Sequence, residues 1–114
     1  MIDRYDSGRS IRINGETFHH DVKIIGDVVV GNWWRKQGHR LDAVDIEDIL
    51  DFRPEVLVIG TGYAGQMKVP SATRTVLEGA DIRIEADETG RAVQIFNRLL
   101  GAGRNVAGAF HLTC

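Results

Sequence analysis

Apolar and polar residues alternate through Ile11-Arg12-Ile13, break at Asn14-Gly15, and resume through Glu16-Thr17-Phe18. An Asn-Gly pair between strand-like runs is the strongest short hairpin signal, because both central turn residues need positive φ. A second hairpin is expected about Gly26-Asp27, joining Val22-Lys23-Ile24-Ile25 to Val28-Val29-Val30, and that last run leads into Gly31-Asn32-Trp33-Trp34. The first third of the chain therefore reads as antiparallel β.

The pattern then changes period. Asp42 is placed to cap a helix starting near Ala43, with Ile46, Ile49 and Leu50 on one face and Pro54 ending it. Val56 to Ile59 is a continuous apolar run, the mark of a strand buried on both faces. A glycine loop follows, Pro70-Ser71 opens a second helix to Leu77, and Gly79 is its stop. Ile82, Ile84 and Ala86 alternate with Arg83 and Glu85 as another strand. Thr89 is the expected cap of a third helix that buries Val93, Phe96 and Leu100, with Gly101 or Gly103 closing it. Val106 to Leu112 makes the last strand. This order predicts a single α/β domain over 1–114: a mixed sheet with a parallel core and N-terminal antiparallel hairpins, layered against about three helices.

Composition narrows the role. Of 114 residues, 43% are hydrophobic and 26% charged, which suits one ordinary core. The net charge of −2 supplies no basic face for nucleic acid. No apolar run approaches the ~20 residues a membrane span needs, and the polar, acid-containing start lacks the form of a leader, so a cytoplasmic location is expected. The single cysteine, Cys114, excludes an internal disulfide and a Cys-rich zinc site.

Several stretches occur in a telling order: VLVIGTG at 56–62, a strand ending at Asp87, and T-x-x-A-x-x-x-F-N-x-L from Thr89 to Leu99. Arg104-Asn105-Val106 and the FHLTC run at 110–114 complete it. Together they resemble the Mth-type domain family over nearly the whole chain from Tyr5 onward. These are small α/β proteins that include an adipogenesis-associated protein of animals and a mitochondrial assembly factor for respiratory complex I. The resemblance implies a mixed sheet flanked by helices, and it favours a partner-binding role. Kinship of fold alone does not carry activity across.

Gly60-Thr61-Gly62-Tyr63-Ala64-Gly65 is formally G-x-G-x-x-G directly after a strand. A dinucleotide site needs a helix to begin inside that motif. Here Gln66-Met67-Lys68-Val69 and Pro70 intervene, so no cofactor is expected. A weaker version keeps the loop as a cradle for an anion or carboxylate, with free amides from Gly60 to Ala64 and Lys68 nearby. The alternative is that these glycines only permit a tight turn under a packed helix. If the loop binds a ligand, Gly62→Val should abolish binding without unfolding the domain.

Asn97 sits at the margin of the third helix's buried face, where its amide is expected to serve backbone groups, the glycine loop being the natural neighbour, or to line the same crevice. Arg104 is placed to pair with Asp87, to cover helix-terminal carbonyls, or to clamp an anionic ligand. Trp33 and Trp34, if extended, point to opposite faces, so one joins the core and the other is either exposed as a candidate partner interface or covered by a helix or the chain's own tail. Asp42, Asp45, Glu47, Asp48, Asp51 and Glu55 are spread around the first helix and suit a solvated face better than a metal. His19-His20 alternate sides, and no HExxH, G-x-S-x-G or His-Cys pair at usable spacing appears, so no metal site is expected. The reading that follows is a non-enzymatic interaction or assembly-type protein, binding a protein partner or itself. The alternative is a small-molecule or anion-binding protein, conceivably an enzyme, built on the 60–68 loop with Asn97 and Arg104.

Overall fold

The computed structural model describes residues 1–114. Strands β1 (Ile2–Asp6), β2 (Ser10–Ile13) and β3 (Glu16–Phe18) form a small antiparallel sheet in that order. Asn14 and Gly15 join β2 to β3 with φ of 49° and 83°, the left-handed pair that the hairpin turn demands.

The second hairpin, β4 (Val22–Ile25) and β5 (Val28–Val30), turns through Gly26 at φ 59° and belongs to a different sheet. That sheet also contains β6 (Val56–Thr61), β7 (Arg83–Asp87) and β8 (Val106–His111), in the order β5-β4-β8-β6-β7. β6 runs parallel to both β7 and β8, and β4 is antiparallel to β8. The expected mixed sheet with a parallel core is present, with the two N-terminal hairpins divided between two sheets.

Side-chain alternation along β6 and β8 sorts the interior into two layers. On one face Val56, Val58, Val106, Phe110 and Leu112 pack with Ile2, Ile11 and Ile13 of the small sheet. Ala92, Val93 and Phe96 of α3 (Thr89–Gly101) complete that core. The opposite face buries Leu57, Ile59, Ala107 and Ala109 against Ile46, Ile49 of α1 (Glu47–Phe52) and Leu77 of α2 (Ser71–Gly79). At Gly108 a side chain would run into the rings of Phe110 and Phe96, which meet edge to face at 5.7 Å and 82°. The glycine keeps that aromatic pair in its preferred geometry.

One helix start agrees with expectation and one differs. Asp42 is the N-cap of a 3-10 turn, Ala43–Ile46, that leads into α1, and Asp45 at its third position accepts the N–H groups of Asp42 and Lys36 at 2.9 Å each. The Asp42 carboxylate also pairs with Arg40. α1 ends at Arg53, in the left-handed region at φ 53° just before Pro54. Thr89 is the first helical residue of α3 rather than its cap, because its hydroxyl is engaged elsewhere. No helix is long and apolar enough to cross a membrane.

Candidate functional site

The C-terminal ends of β6, β7 and β8 are stitched together by two threonines. Thr89, fully buried, donates its hydroxyl to the His111 carbonyl and accepts the Gly62 N–H at 2.9 Å. Its own N–H donates to the Gly62 carbonyl at 3.0 Å, and the Thr61 hydroxyl donates to the Asp87 carbonyl at 2.9 Å. Further along the loop, the Tyr63 N–H donates to Thr113, Gly65 to Gly62 and Met67 to Thr61. The amides of Gly62, Tyr63, Gly65 and Met67 are therefore spent inside the protein, which corrects the expectation of free donors there. Gly60 abuts Thr89 and the Phe110 ring. Gly62, at φ 109°, lies so close to the Thr113 carbonyl that no side chain fits. The 111–114 segment has filled the crevice that the loop would have offered.

The remaining expected residues are dispersed. Tyr63 and Asn97 face a second, shallow groove of about 490 Å³ beside β1. Asn97 accepts the Ile2 N–H at 2.9 Å and donates to the Ile2 carbonyl at 2.7 Å. It thus serves β1 and not the glycine loop, because an amide on α3's margin meets the strand packed alongside before it reaches the strand ends. Arg104 lies at the opposite end of the sheet, 3.5 Å from Glu55, while Asp87 has Arg91 at 4.0 Å. The Asn105 N–H, and then Arg104, hold the Glu55 carboxyl below its usual range. Lys68 is exposed, and its backbone bridges the 39–41 segment: its N–H donates to His39 at 2.8 Å and its carbonyl accepts from Leu41 at 2.9 Å.

Chemistry gathers elsewhere, in a cleft of about 320 Å³ between the loop after β5, the residues before β4, and the end of β8. Asp21 forms its polar floor. Its carboxylate accepts Arg35 at 2.7 Å, His111 Nδ1 at 2.7 Å and the Leu112 N–H at 2.8 Å. Burial alone would raise its pKa, but the hydrogen bonds from His111, Leu112 and Arg35 outweigh that and hold the carboxyl below its ordinary value. Arg35 also donates to the Gly38 carbonyl at 2.6 Å, fixing the turn that carries His39.

His111 is only 5% exposed. Its Nδ1 lies 2.7 Å from the Asp21 carboxylate and 2.9 Å from Arg35 Nη2, and its Nε2 has no hydrogen-bond partner. Its ring meets that of His39 edge-on at 6.1 Å, and His39 Nε2 is 3.8 Å from Cys114 Sγ. A ring nitrogen of each histidine and the Cys114 sulfur lie within 4.8 Å of one another.

Both tryptophans line this cleft, from a loop and not from a strand. Trp33 is 7% exposed, its ring flanked by Lys23 Nζ at 5.2 Å and Arg35 at 5.0 Å. Lys23 is itself buried and paired with Asp48 at 2.7 Å, which gives part of the acidic first helix a structural use. Trp34 is 74% exposed at the rim, its ring 6.0 Å from that of His20 and its Nε1–H donated to Asn32 at 3.1 Å. Of the two outcomes open to the pair, the outer ring is the exposed one and is not covered by a helix or the tail. His19 and His20 both border the cleft, since they lie in a bend after β3 and not in a strand.

Asp21, Arg35, His39, His111 and Cys114 were not singled out as a set by sequence. The expectation that no histidine and cysteine stand at usable spacing is corrected by the fold: His111 ends β8 and Cys114 turns back with φ 57°. His39 arrives from a turn between Gln37 and Arg40. One signal was available. His111 continues the inward alternation of Ala107 and Ala109, so a polar ring was due at the buried end of β8.

Comparison with known proteins places this chain in a family. Residues 2–111 match the family described as a protein of unknown function (DUF498/DUF598), and the chain belongs to it. Among solved structures, an outer membrane protein from Bartonella henselae is 30% identical with a TM-score of 0.82, the match covering 97% of this chain and 93% of that one. A conserved hypothetical protein from Pyrococcus horikoshii is 22% identical with a TM-score of 0.82, covering 100% and 99%. A Mth938-like domain from Bordetella pertussis is 22% identical with a TM-score of 0.70, covering 97% and 84%. The expected Mth-type kinship is thereby met, in a family to which no specific function is attached.

Proposed function

We propose that this member of the DUF498/DUF598 family is a protein-interaction module that receives an extended segment of a partner protein along β5 and anchors it on Trp34. The observation that carries this reading is the exposure of Trp34 beside an unpaired sheet edge. β5 pairs only with β4, so its outer backbone groups face no strand. Such an edge is a template for an added strand. Four residues after β5, the Trp34 ring stands in solvent yet is held by Asn32 and neighboured by His20. A fully buried aromatic of this size contributes roughly 3 kcal/mol or more through area alone. Leaving it outside forgoes that gain, and pre-positioning it lowers the entropy lost when a partner covers it.

The filled strand-end crevice supports the same choice, since the alternative ligand site at the glycine loop has lost most of its donors. The reading carries the expected cytoplasmic setting with it. A photo-crosslinking amino acid in place of Trp34 or of Val76, an exposed apolar residue on α2, tests it in cells. The expected result is a discrete adduct from position 34, absent from position 76 and suppressed by excess unlabelled protein. Identical adduct patterns from both positions would remove the Trp34 edge from consideration.

A further inference from the structure

We propose that His39, His111 and Cys114 form a binding site for one borderline-soft transition-metal ion, with Zn²⁺ the ion that the donors fit and Asp21 the residue that orients His111. This goes beyond the peptide-binding reading and does not depend on it. Two imidazoles and a thiolate are a donor set that zinc accepts, and three protein ligands leave a fourth position for water or another ligand.

His111 is a buried ring with one nitrogen unsatisfied. A buried ring nitrogen without a partner costs roughly 1–3 kcal/mol, and native interiors rarely leave one so. Here the ring is 5% exposed and Nε2 is unpartnered. Its Nδ1 lies 2.7 Å from the Asp21 carboxylate and 2.9 Å from Arg35 Nη2. In the tautomer whose Nδ1–H donates to Asp21, the Nε2 lone pair is the one function the ring has left to offer. A carboxylate behind a histidine is the usual means of fixing the orientation and basicity of a metal-binding imidazole. Arg35 and the Leu112 N–H, on the same carboxylate, keep Asp21 itself in place.

The donor spacing is also close to that of a tetrahedral site. Zn–N of about 2.0 Å and Zn–S of about 2.3 Å in a tetrahedron put donor atoms roughly 3.4–3.6 Å apart. His39 Nε2 and Cys114 Sγ are at 3.8 Å, and a ring nitrogen of each histidine lies with that sulfur within 4.8 Å of one another. Closing the set takes a shift of about an ångström. His39 is exposed on a turn and Cys114 is only partly buried, so both have room to move while His111 stays fixed. The same fold that makes the sequence spacing uninformative makes the site: donors 3 and 72 residues from His111 meet because β8 ends against the 37–40 turn.

The test uses the full chain, reduced and stripped with a chelator, titrated with Zn²⁺ in competition with a chromophoric chelator and separately with Co²⁺. The expected result is uptake of a single Zn²⁺ per chain. With Co²⁺, a thiolate-to-cobalt charge-transfer band should appear together with the intense visible bands of a tetrahedral ion. Cys114→Ser should lose the charge-transfer band. It and His39→Ala should each weaken Zn²⁺ binding by roughly 100-fold or more, since even an outer partner is worth 10–100-fold. Neither side chain belongs to the hydrophobic cores, so both variants should fold. Asp21→Asn should weaken binding by about 10-fold or more with the charge-transfer band retained, as befits a positioning residue. Absence of stoichiometric uptake overturns the proposal, as does uptake that is unchanged in both Cys114→Ser and His39→Ala.

Discussion

Asp21 and His111 stand 90 residues apart in the chain and 2.7 Å apart in space, joined through the carboxylate oxygen that also takes Arg35. This single contact ties the entry to β4 to the exit of β8. It also gathers two cationic or hydrogen-bonding partners and one backbone amide on a carboxylate that is largely removed from water. Asp21→Asn keeps the shape but removes the charge, leaving Arg35, 3% exposed at its side chain, without an anion. Breaking a buried pair from one side costs about 3 kcal/mol or more. Thermal unfolding should therefore begin roughly 10 °C lower in this variant. A midpoint unchanged within a degree or two would show that Asp21 is not the keystone of the cleft.

Gly62→Val should unfold or severely weaken the protein, and so cannot serve as a clean binding-loop variant. Valine at φ 109° is strained whatever its surroundings, and its Cβ would meet the Thr113 carbonyl. The expected loss in urea denaturation is about 3 kcal/mol or more. Gly79→Ala, on the exposed end of α2 with open space around it, is the control and should be neutral or mildly stabilising. Equal stability of Gly62→Val and the parent would mean that the 111–114 segment does not pack against the loop.

The two tryptophans should separate by stability. Trp33→Ala removes a buried ring between Lys23 and Arg35 and should cost about 3–5 kcal/mol. Trp34→Ala should stay within about 0.5 kcal/mol of the parent, because its ring is mostly in water. Chemical denaturation of both variants checks this, and comparable losses would contradict the assignment of inner and outer rings.

Tyr5 gives a test at high pH. Burial, only partly countered by a hydrogen bond from the Gly8 backbone, pushes its phenol up to about 12, and its hydroxyl donates to the Leu112 carbonyl at 2.6 Å. The folded value lies above the unfolded one near 10, so the neutral form is favoured by folding. Its contribution to stability is complete below pH 10 and is lost as pH rises toward 12. A Tyr63→Phe background isolates the residue, because Tyr5 and Tyr63 are the two tyrosines of the chain. Ultraviolet titration should then give a midpoint near 12, with circular dichroism reporting that the fold persists. A midpoint near 10 in the folded protein would disprove the burial of this hydroxyl.

Local rules carried most of the fold. Asn14-Gly15 and Gly26-Asp27 mark the two hairpins, Val56 to Ile59 marks the buried strand, and the helix from Thr89 shows its apolar stripe, because each is written in neighbouring residues. What neighbouring residues do not encode is which sheet a hairpin joins. The division of the two hairpins follows from long-range burial of Ile2, Ile11 and Ile13 on the α3 face.

The candidate site was less legible for the same reason. Gly60 and Gly62 invite a phosphate-loop reading, yet their use is to let Thr89 and the 111–114 segment approach. Whether a glycine admits a ligand or the protein's own backbone depends on what arrives opposite, and Thr113 does. His39, His111 and Cys114 carry no motif because they come from a turn, a strand end and a tail. Trp33 and Trp34 were recoverable, since two adjacent large rings cannot both be buried on one face.

β8 has a further consequence for how this protein comes into being. It lies between β4 and β6, and β4 reaches the rest of the sheet only through it. During synthesis the β4–β5 hairpin and the β6–β7 pair emerge well before the strand that unites them. Until residues 106–111 have left the ribosome, both inner edges are bare and neither core can close. The two halves of the sheet can therefore join only once β8 has emerged, and until then the inner edges of β4 and β6 stay unpaired.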